Sequence, residues 1–182
     1  MKITETGIKD LIVIEANVFG DERGYFYESF NEKVWKEKVG KLPNFVQDNE
    51  SMSHKGVLRG LHFQQPPYAQ GKLVRVIQGS VLDVAVDLRK DSKTYGQHFK
   101  LLISGDNKKQ LYVPEGFAHG FLTLEDNTIF SYKCTNFYNK ESEAGLLWND
   151  KDLDIDWEIK SPILSEKDKF YKSFTTFVSP FI

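Results

Sequence analysis

The residues most able to move protons in this 182-residue chain are four histidines, His54, His62, His98 and His119. Imidazole titrates near pH ~6.5, so it can take and return protons under neutral conditions. His54 lies in a loop-like run, Ser51-Met52-Ser53-His54-Lys55-Gly56, and His98 follows Gly96-Gln97, which predicts a surface position. His62 and His119 sit in richer company. His62 belongs to Gly56-Val57-Leu58-Arg59-Gly60-Leu61-His62-Phe63-Gln64, and His119 to Pro114-Glu115-Gly116-Phe117-Ala118-His119-Gly120. Strand alternation puts His119 on one face with Phe117 and Phe121, and Lys72 on one face with Val74 and Val76. In residues 128–135 it puts Tyr132 with Thr128, Phe130 and Cys134, the more apolar face, and so turns Tyr132 inward. A buried lysine or histidine is unfavourable unless it is paired or functional. The competing reading makes all three edge residues with solvent-facing tips.

The elements that must hold these groups read as short strands. Candidate strands cover residues 73–77, 81–88, 97–103, 110–113, 117–124 and 128–135, separated by Gln78-Gly79-Ser80, Ser104-Gly105-Asp106-Asn107, Pro114-Glu115-Gly116 and Glu125-Asp126-Asn127. That spacing predicts an antiparallel sandwich or barrel. Helix signals lie at the two ends. Asn31 caps residues 32–39, Gly40 stops them, and Phe30 and Trp35 stand at hydrophobic-staple positions. Ser165-Glu166-Lys167-Asp168 resembles a capping box opening a short C-terminal helix. With no linker and no repeat, residues 1–182 read as one domain, with the barrel core at about 45–140.

Composition removes several classes. Lysine plus arginine is 24 against 26 acids, a net charge of −2, which leaves no footprint for duplex nucleic acid. No apolar run is long enough to span a bilayer. Residues 1–10 carry Lys2, Glu5, Lys9 and Asp10 rather than an apolar signal centre. Cys134 is the single cysteine, which excludes an internal disulfide and a cysteine-rich zinc site. A reducing cytoplasm is the expected compartment.

The segments around His62 and His119 resemble the two motifs of the cupin superfamily, with Gly56 preceding His62 and a proline-x-glycine-x-x-histidine pattern ending at His119. A metal-binding cupin would then need a second histidine two residues beyond His62 and a glutamate nearby. The chain has Gln64 there and no glutamate in residues 66–73, so too few ligands remain for a first-row metal. Alone, an inward histidine reads as a satisfied core residue. Arg59, Lys72, His119 and Tyr132 nearby favour a functional site instead.

Six ordered segments sharpen the resemblance: Phe19-Gly20-Asp21-Glu22-Arg23-Gly24-Tyr25-Phe26, Gln47-Asp48-Asn49-Glu50-Ser51, the His62 stretch, Gln70-Gly71-Lys72-Leu73-Val74-Arg75-Val76-Ile77-Gln78-Gly79, the His119 stretch and Leu164-Ser165-Glu166-Lys167-Asp168. Together they resemble the dTDP-4-dehydrorhamnose 3,5-epimerase family over nearly the whole chain. The resemblance implies a mainly β, cupin-type jelly-roll barrel with a few short flanking helices, working as a homodimer without metal or cofactor. It implies inversion of dTDP-4-dehydro-6-deoxy-D-glucose at carbons 3 and 5, giving dTDP-4-dehydro-L-rhamnose.

Both carbons flank a ketone, so the chemistry needs a base, an oxyanion stabiliser and an acid on the opposite face. The resemblance assigns His62 as base, Asp168 as the carboxylate that orients it, Tyr132 as acid and Lys72 as the cation beside the ketone oxygen. It assigns Arg23, Arg59 and His119 to the sugar and diphosphate, and Gln47 and Asn49 to the diphosphate. Phe19 and Tyr138 fall at thymine-stacking positions, and Glu143 in a stretch expected to contribute weakly. Phe26 and Glu28 accompany Arg23 on an N-terminal segment that reaches into the neighbouring subunit's site. Local readings compete: Asp168 as a helix cap, Tyr132 as core, Lys72 as a surface lysine, the arginines as solvated, and Phe19, Phe26 and Tyr138 as packing. Rival functions are a mono-epimerase or ketoisomerase of dTDP-keto sugars, and a non-catalytic sugar-nucleotide-binding cupin.

Overall fold

The computed structural model describes residues 1–182. In chain order the elements are β1 (Lys2–Glu5), β2 (Ile12–Glu15), β3 (Phe19–Asp21), β4 (Gly24–Phe26), α1 (Glu32–Val39), β5 (Gln47–Ser53), β6 (Leu58–Gln64) and β7 (Lys72–Gln78). There follow β8 (Ser80–Asp87), β9 (His98–Ser104), β10 (Lys109–Val113), β11 (Phe117–Thr123), β12 (Thr128–Cys134) and β13 (Glu143–Gly145). The strands expected between residues 73 and 135 are β7 to β12, each end within one residue of its sequence-derived position.

The strands form a six-stranded sheet, β1-β2-β10-β7-β12-β5, a five-stranded sheet, β13-β6-β11-β8-β9, and a separate β3–β4 hairpin. All named pairs within these sheets are antiparallel. Apolar residues from both sheets meet between them: Val13, Val74, Val76, Leu111 and Phe130 from one, Val81, Ala85, Ile103, Phe117 and Phe121 from the other. The outer face of the five-stranded sheet is covered by the C-terminal segment, through Leu146, Leu153, Trp157 and Phe181 on Leu82, Val84 and Val86. This leaves β8 buried along its whole length, which explains its nearly continuous apolar run. The architecture is the expected jelly roll, mainly β, with one α-helix.

That helix covers the outer face of the six-stranded sheet. Asn31 Oδ1 accepts from Val34 N at 3.2 Å, and the Gly40 N–H bonds to Lys36 O at 3.2 Å with Gly40 at φ +90°. The cap is worth about 1 kcal/mol. Phe30 and Trp35 pack with ring centroids 6.0 Å apart, as a staple requires. Trp35 is buried against Ile12, Ile14 and Leu73. The C-terminal signal resolves differently. Only a single 3-10 turn forms, Lys167–Lys169, and its cap position, Glu166, makes no side-chain capping bond. Asp168 turns its carboxylate into the protein instead of closing a capping box.

One irregularity sets which residues of β6 face the inter-sheet lumen. The β11–β6 register pairs His119 with His62 but Phe121 with Arg59, so β6 carries one extra residue at Gly60-Leu61. A bulge reverses the alternation beyond it. Arg59 and His62, three apart, therefore share a face that regular pleating would deny them. Gly60 sits at φ +145°, and a Cβ there would lie 2.6 Å from Gly120 Cα on β11. Only a residue without a side chain fits that approach. Gly60→Ala is expected to destabilise the fold by at least about 2 kcal/mol. Thermal unfolding followed by circular dichroism checks this, and an unchanged Tm would remove the steric account of the bulge.

Candidate active site

Inner-facing polar side chains collect at one end of the lumen. The five-stranded sheet contributes Arg59 and His62 from β6 and His119 from β11, and the six-stranded sheet contributes Lys72 from β7 and Tyr132 from β12. They line one cleft of about 430 Å³, closed on another side by Glu143, Ile163, Leu164, Ser165, Lys167 and Asp168. Phe121 and Phe130, stacked at 4.1 Å between ring centroids, form part of its apolar wall.

His62 Nε2 donates to Asp168 Oδ1 across 2.6 Å, an ionised carboxylate being able only to accept. The Asp168 side chain is 2 % exposed and that of His62 22 %. Burial lowers the His62 pKa, and this outweighs the opposing pull of the Asp168 bond and charge. Burial alone would raise the Asp168 pKa, but the His62 bond and charge, with smaller help from Ser165 and Lys167, hold it below the usual carboxylate value. Both directions describe one state: a neutral imidazole with its Nε2 proton on a carboxylate, leaving Nδ1 able to accept a proton. Asp168 would then stabilise the imidazolium formed.

Lys72 faces the cleft with its ammonium 5.8 Å from the centroid of the Tyr132 ring. Burial lowers its pKa, opposed by Cys134, Asp83 and Glu143. No carboxylate lies within 4.0 Å to neutralise it, which leaves its charge available to a ligand. Burial raises the Tyr132 phenol pKa and keeps its proton on at neutral pH, suiting a donor. His119 is anchored from behind, its Nε2 lying 3.0 Å from each carboxylate oxygen of the fully buried Asp83. No group of three or more His, Cys, Asp and Glu side chains is arranged to hold a metal ion.

The remaining sequence-derived residues divide into two sets. Gln47 and Asn49 are half-buried on β5, with Gln47 Nε2 donating to Asn49 Oδ1 at 3.0 Å. Arg59 reaches along β5 to Ser53 Oγ at 3.1 Å. Tyr138 is exposed, and its hydroxyl donates to Glu143 Oε2 at 3.0 Å. Glu143 also pairs with Lys167, so it ties the Tyr138 side of the cleft to the C-terminal turn. Burial pushes the Glu143 pKa up, but these two bonds keep it low and charged. Phe19, Arg23, Phe26 and Glu28 do not line this cleft. Phe19, Arg23 and Phe26 are exposed on the β3–β4 hairpin, Arg23 pairing with Asp21, while Glu28 accepts from Asn31.

Sequence reasoning passed over Asp83, Lys167 and Tyr171. Asp83 had a signal, as the lone acid within the apolar run Val81-Leu82-Asp83-Val84-Ala85-Val86. Lys167 adjoins Asp168 in a motif already singled out. Tyr171, whose ring lies edge-on to His62 at 5.7 Å, had none. His98, expected at the surface, is half-buried at the start of β9, where burial lowers its pKa.

Fold and site together define a cupin-type enzyme equipped for proton transfer. The family model for dTDP-4-dehydrorhamnose 3,5-epimerase matches residues 5–176. The dTDP-4-dehydrorhamnose 3,5-epimerase of Shigella flexneri is 56% identical over 168 residues, covering 92% of this chain and 93% of that protein. The crystal structure of the Elizabethkingia anophelis enzyme superposes with a TM-score of 0.91 at 54% identity, over 96% of this chain and 97% of that one. The Legionella pneumophila enzyme, solved with dTDP-4-keto-L-rhamnose, gives a TM-score of 0.93 at 48% identity, over 97% and 94% of the two chains. The chain belongs to the dTDP-4-dehydrorhamnose 3,5-epimerase family, and is an isomerase.

The dyad's electrostatics set a pH dependence. The unfolded chain binds a proton on this histidine near pH ~6.5, while the folded chain binds it only at lower pH, so acidification through that window favours unfolding. Asp168 favours the charged imidazole, so Asp168→Asn is expected to lower the His62 midpoint further. Proton NMR titration of the ring measures both midpoints; a wild-type value above ~6.5 would reverse the balance of burial and pairing described here.

Proposed function

We propose that this protein epimerises dTDP-4-dehydro-6-deoxy-D-glucose at carbons 3 and 5, giving dTDP-4-dehydro-L-rhamnose. The observation that carries the reading is the neutral His62 imidazole, bonded to the Asp168 carboxylate, opening into the same cleft as the Lys72 ammonium and the Tyr132 phenol. His62 takes the hydrogen beside the ketone as a proton. The electron pair of that C–H bond moves into the carbonyl and leaves an enolate. Lys72 meets the charge growing on the ketone oxygen, where a fixed cation in a water-poor cleft acts most strongly. Tyr132 returns a proton to the opposite face of the carbon, and the resulting phenolate recovers its proton from solvent while His62 gives up the one it took. Carbons 3 and 5 lie on either side of one ketone, so the same groups serve both after the sugar ring shifts.

Arg59 and His119 suit the sugar and diphosphate, with the arginine able to contact phosphate oxygens in a bidentate manner. Gln47, Asn49 and Glu143 border that end, and Tyr138 offers an aromatic face to the thymine. Phe19, Arg23, Phe26 and Glu28 act in trans, from the N-terminal segment of a second copy in a homodimer. None of them lines the cleft of its own chain and all are exposed, which favours this reading. Residues 1–182 act as one epimerase domain needing no cofactor, in a reducing compartment such as the cytoplasm that suits the buried thiol of Cys134.

Reaction in deuterium oxide, read by NMR at each sugar carbon, tests the proposal. Deuterium at carbons 3 and 5, with a rhamno-configured product after reduction, is expected. Label at one carbon alone would make the protein a mono-epimerase, and no label would make it a binder. His62→Ala is expected to abolish exchange at both carbons, by at least about 100-fold. Tyr132→Phe should keep exchange at carbon 3 while impairing full inversion; a wild-type yield from that variant would remove the phenol from the mechanism.

A further inference from the structure

Gln64 ends β6 at the position where a metal-binding cupin would carry another histidine. It is only 5% exposed, and both ends of its amide are committed to backbone. Nε2 donates to Tyr68 O at 2.6 Å and to Phe137 O at 3.1 Å, and Oε1 accepts from Asn139 N at 2.7 Å. A second glutamine completes the set from β5, Gln47 Oε1 accepting from Tyr138 N at 3.0 Å. Three successive residues, 137 to 139, thus have a main-chain group bonded to a glutamine side chain. This stretch belongs to no strand, so it lacks the ladder bonds that fix its neighbours β12 and β13. Yet the rings it carries stand in solvent, Phe137 61% and Tyr138 56% exposed.

A tied backbone beneath an exposed ring is the construction of a rigid platform. The ring's outer end is held as well. Tyr138 Oη donates to Glu143, and Glu143 lies opposite Gln64 in the β13–β6 register. A ring held at both ends loses little freedom when a flat ligand settles on it.

We infer that Gln64 is a positioning residue for Tyr138, fixing the aromatic face on which the base of a nucleoside diphosphate ligand stacks. The inference rests on the reading in which Tyr138 meets the base. Gln64 itself does not line the cleft that holds His62, Lys72 and Tyr132, its amide being committed to backbone groups. Its loss should therefore weaken nucleotide binding and leave turnover at saturation intact.

Gln64→Met keeps the length of the side chain and removes its donors and its amide acceptor. Calorimetric titration with dTDP is expected to show a Kd raised about tenfold, with kcat for the sugar nucleotide within about twofold of wild type. In a Tyr138→Ala background the same substitution should add less than about twofold, because there is no ring left to position. An unchanged Kd in Gln64→Met beside a weakened Tyr138→Ala overturns the inference and leaves the stacking role standing. An equal penalty in both backgrounds, or a parallel fall in kcat, makes Gln64 merely structural. Unchanged dTDP binding in Tyr138→Ala removes the stacking role and the inference with it, while the exchange experiment on His62 still stands. Should Gln64→Met fail to fold, amide hydrogen exchange on the wild-type protein decides. Protected Tyr138 and Asn139 amides without ligand are expected, and loop-like exchange there overturns the platform.

Discussion

A carboxylate that is almost wholly buried can remain charged only if donors replace the water it has lost. For Asp168 the principal donor is His62, 106 residues away in sequence. Removing either partner leaves a buried group unsatisfied, so the bond holds the C-terminal segment and β6 together as well as orienting the ring. Backbone contacts continue the join, with Leu58 N bonded to Ile163 O at 3.0 Å and Ile163 N to Gly56 O at 2.8 Å. The cleft wall formed by residues 163–168 exists because this segment lies against β6. The same interaction thus builds the wall and fixes the tautomer of the imidazole.

The remainder of the lumen follows a gradient from dry to wet. At the inner end, the stacked Phe121 and Phe130 rings adjoin His119 and Tyr132, and the charges are few and fixed. Burial keeps the His62 imidazole neutral and the Tyr132 phenol protonated, and low polarity strengthens the field of Lys72 on any charge developing nearby. At the outer end, Arg59 and Tyr138 are exposed, and Glu143 and Lys167 form a pair at the rim. Proton transfer from carbon suits the first environment, and a charged, flat nucleotide suits the second. Buried Asp83 and Gln64 do not line the cleft themselves, but hold His119 and the backbone on either side of Tyr138, at Phe137 and Asn139.

Much of this could be read along the chain because strand alternation is local. A period of two placed Lys72, His119 and Tyr132 on apolar faces, and punctuation by glycine, proline, asparagine and aspartate located β7 to β12. The capped helix was equally legible, since Asn31, Gly40 and the Phe30–Trp35 pair act within a few residues of one another. Strand β5 escaped notice because Gln-Asp-Asn-Glu-Ser-Met-Ser is polar and lies at a sheet edge, where ladder bonds to β12 hold it rather than burial. Strand β6 escaped because its alternation is broken at Gly60.

Composition and periodicity therefore determined a β sandwich, its helix and the inward direction of several polar groups. The motif resemblance supplied the chemistry. Tertiary structure alone decided that Arg59 and His62 share a face and that Asp83 and Gln64 support groups on neighbouring elements, and it chose between the two readings of Asp168, pairing it with an imidazole rather than a helix end. Each depends on a partner from a distant part of the chain. A bulge is defined only by the strand opposite it, and a buried charge or amide settles wherever folding brings its complement.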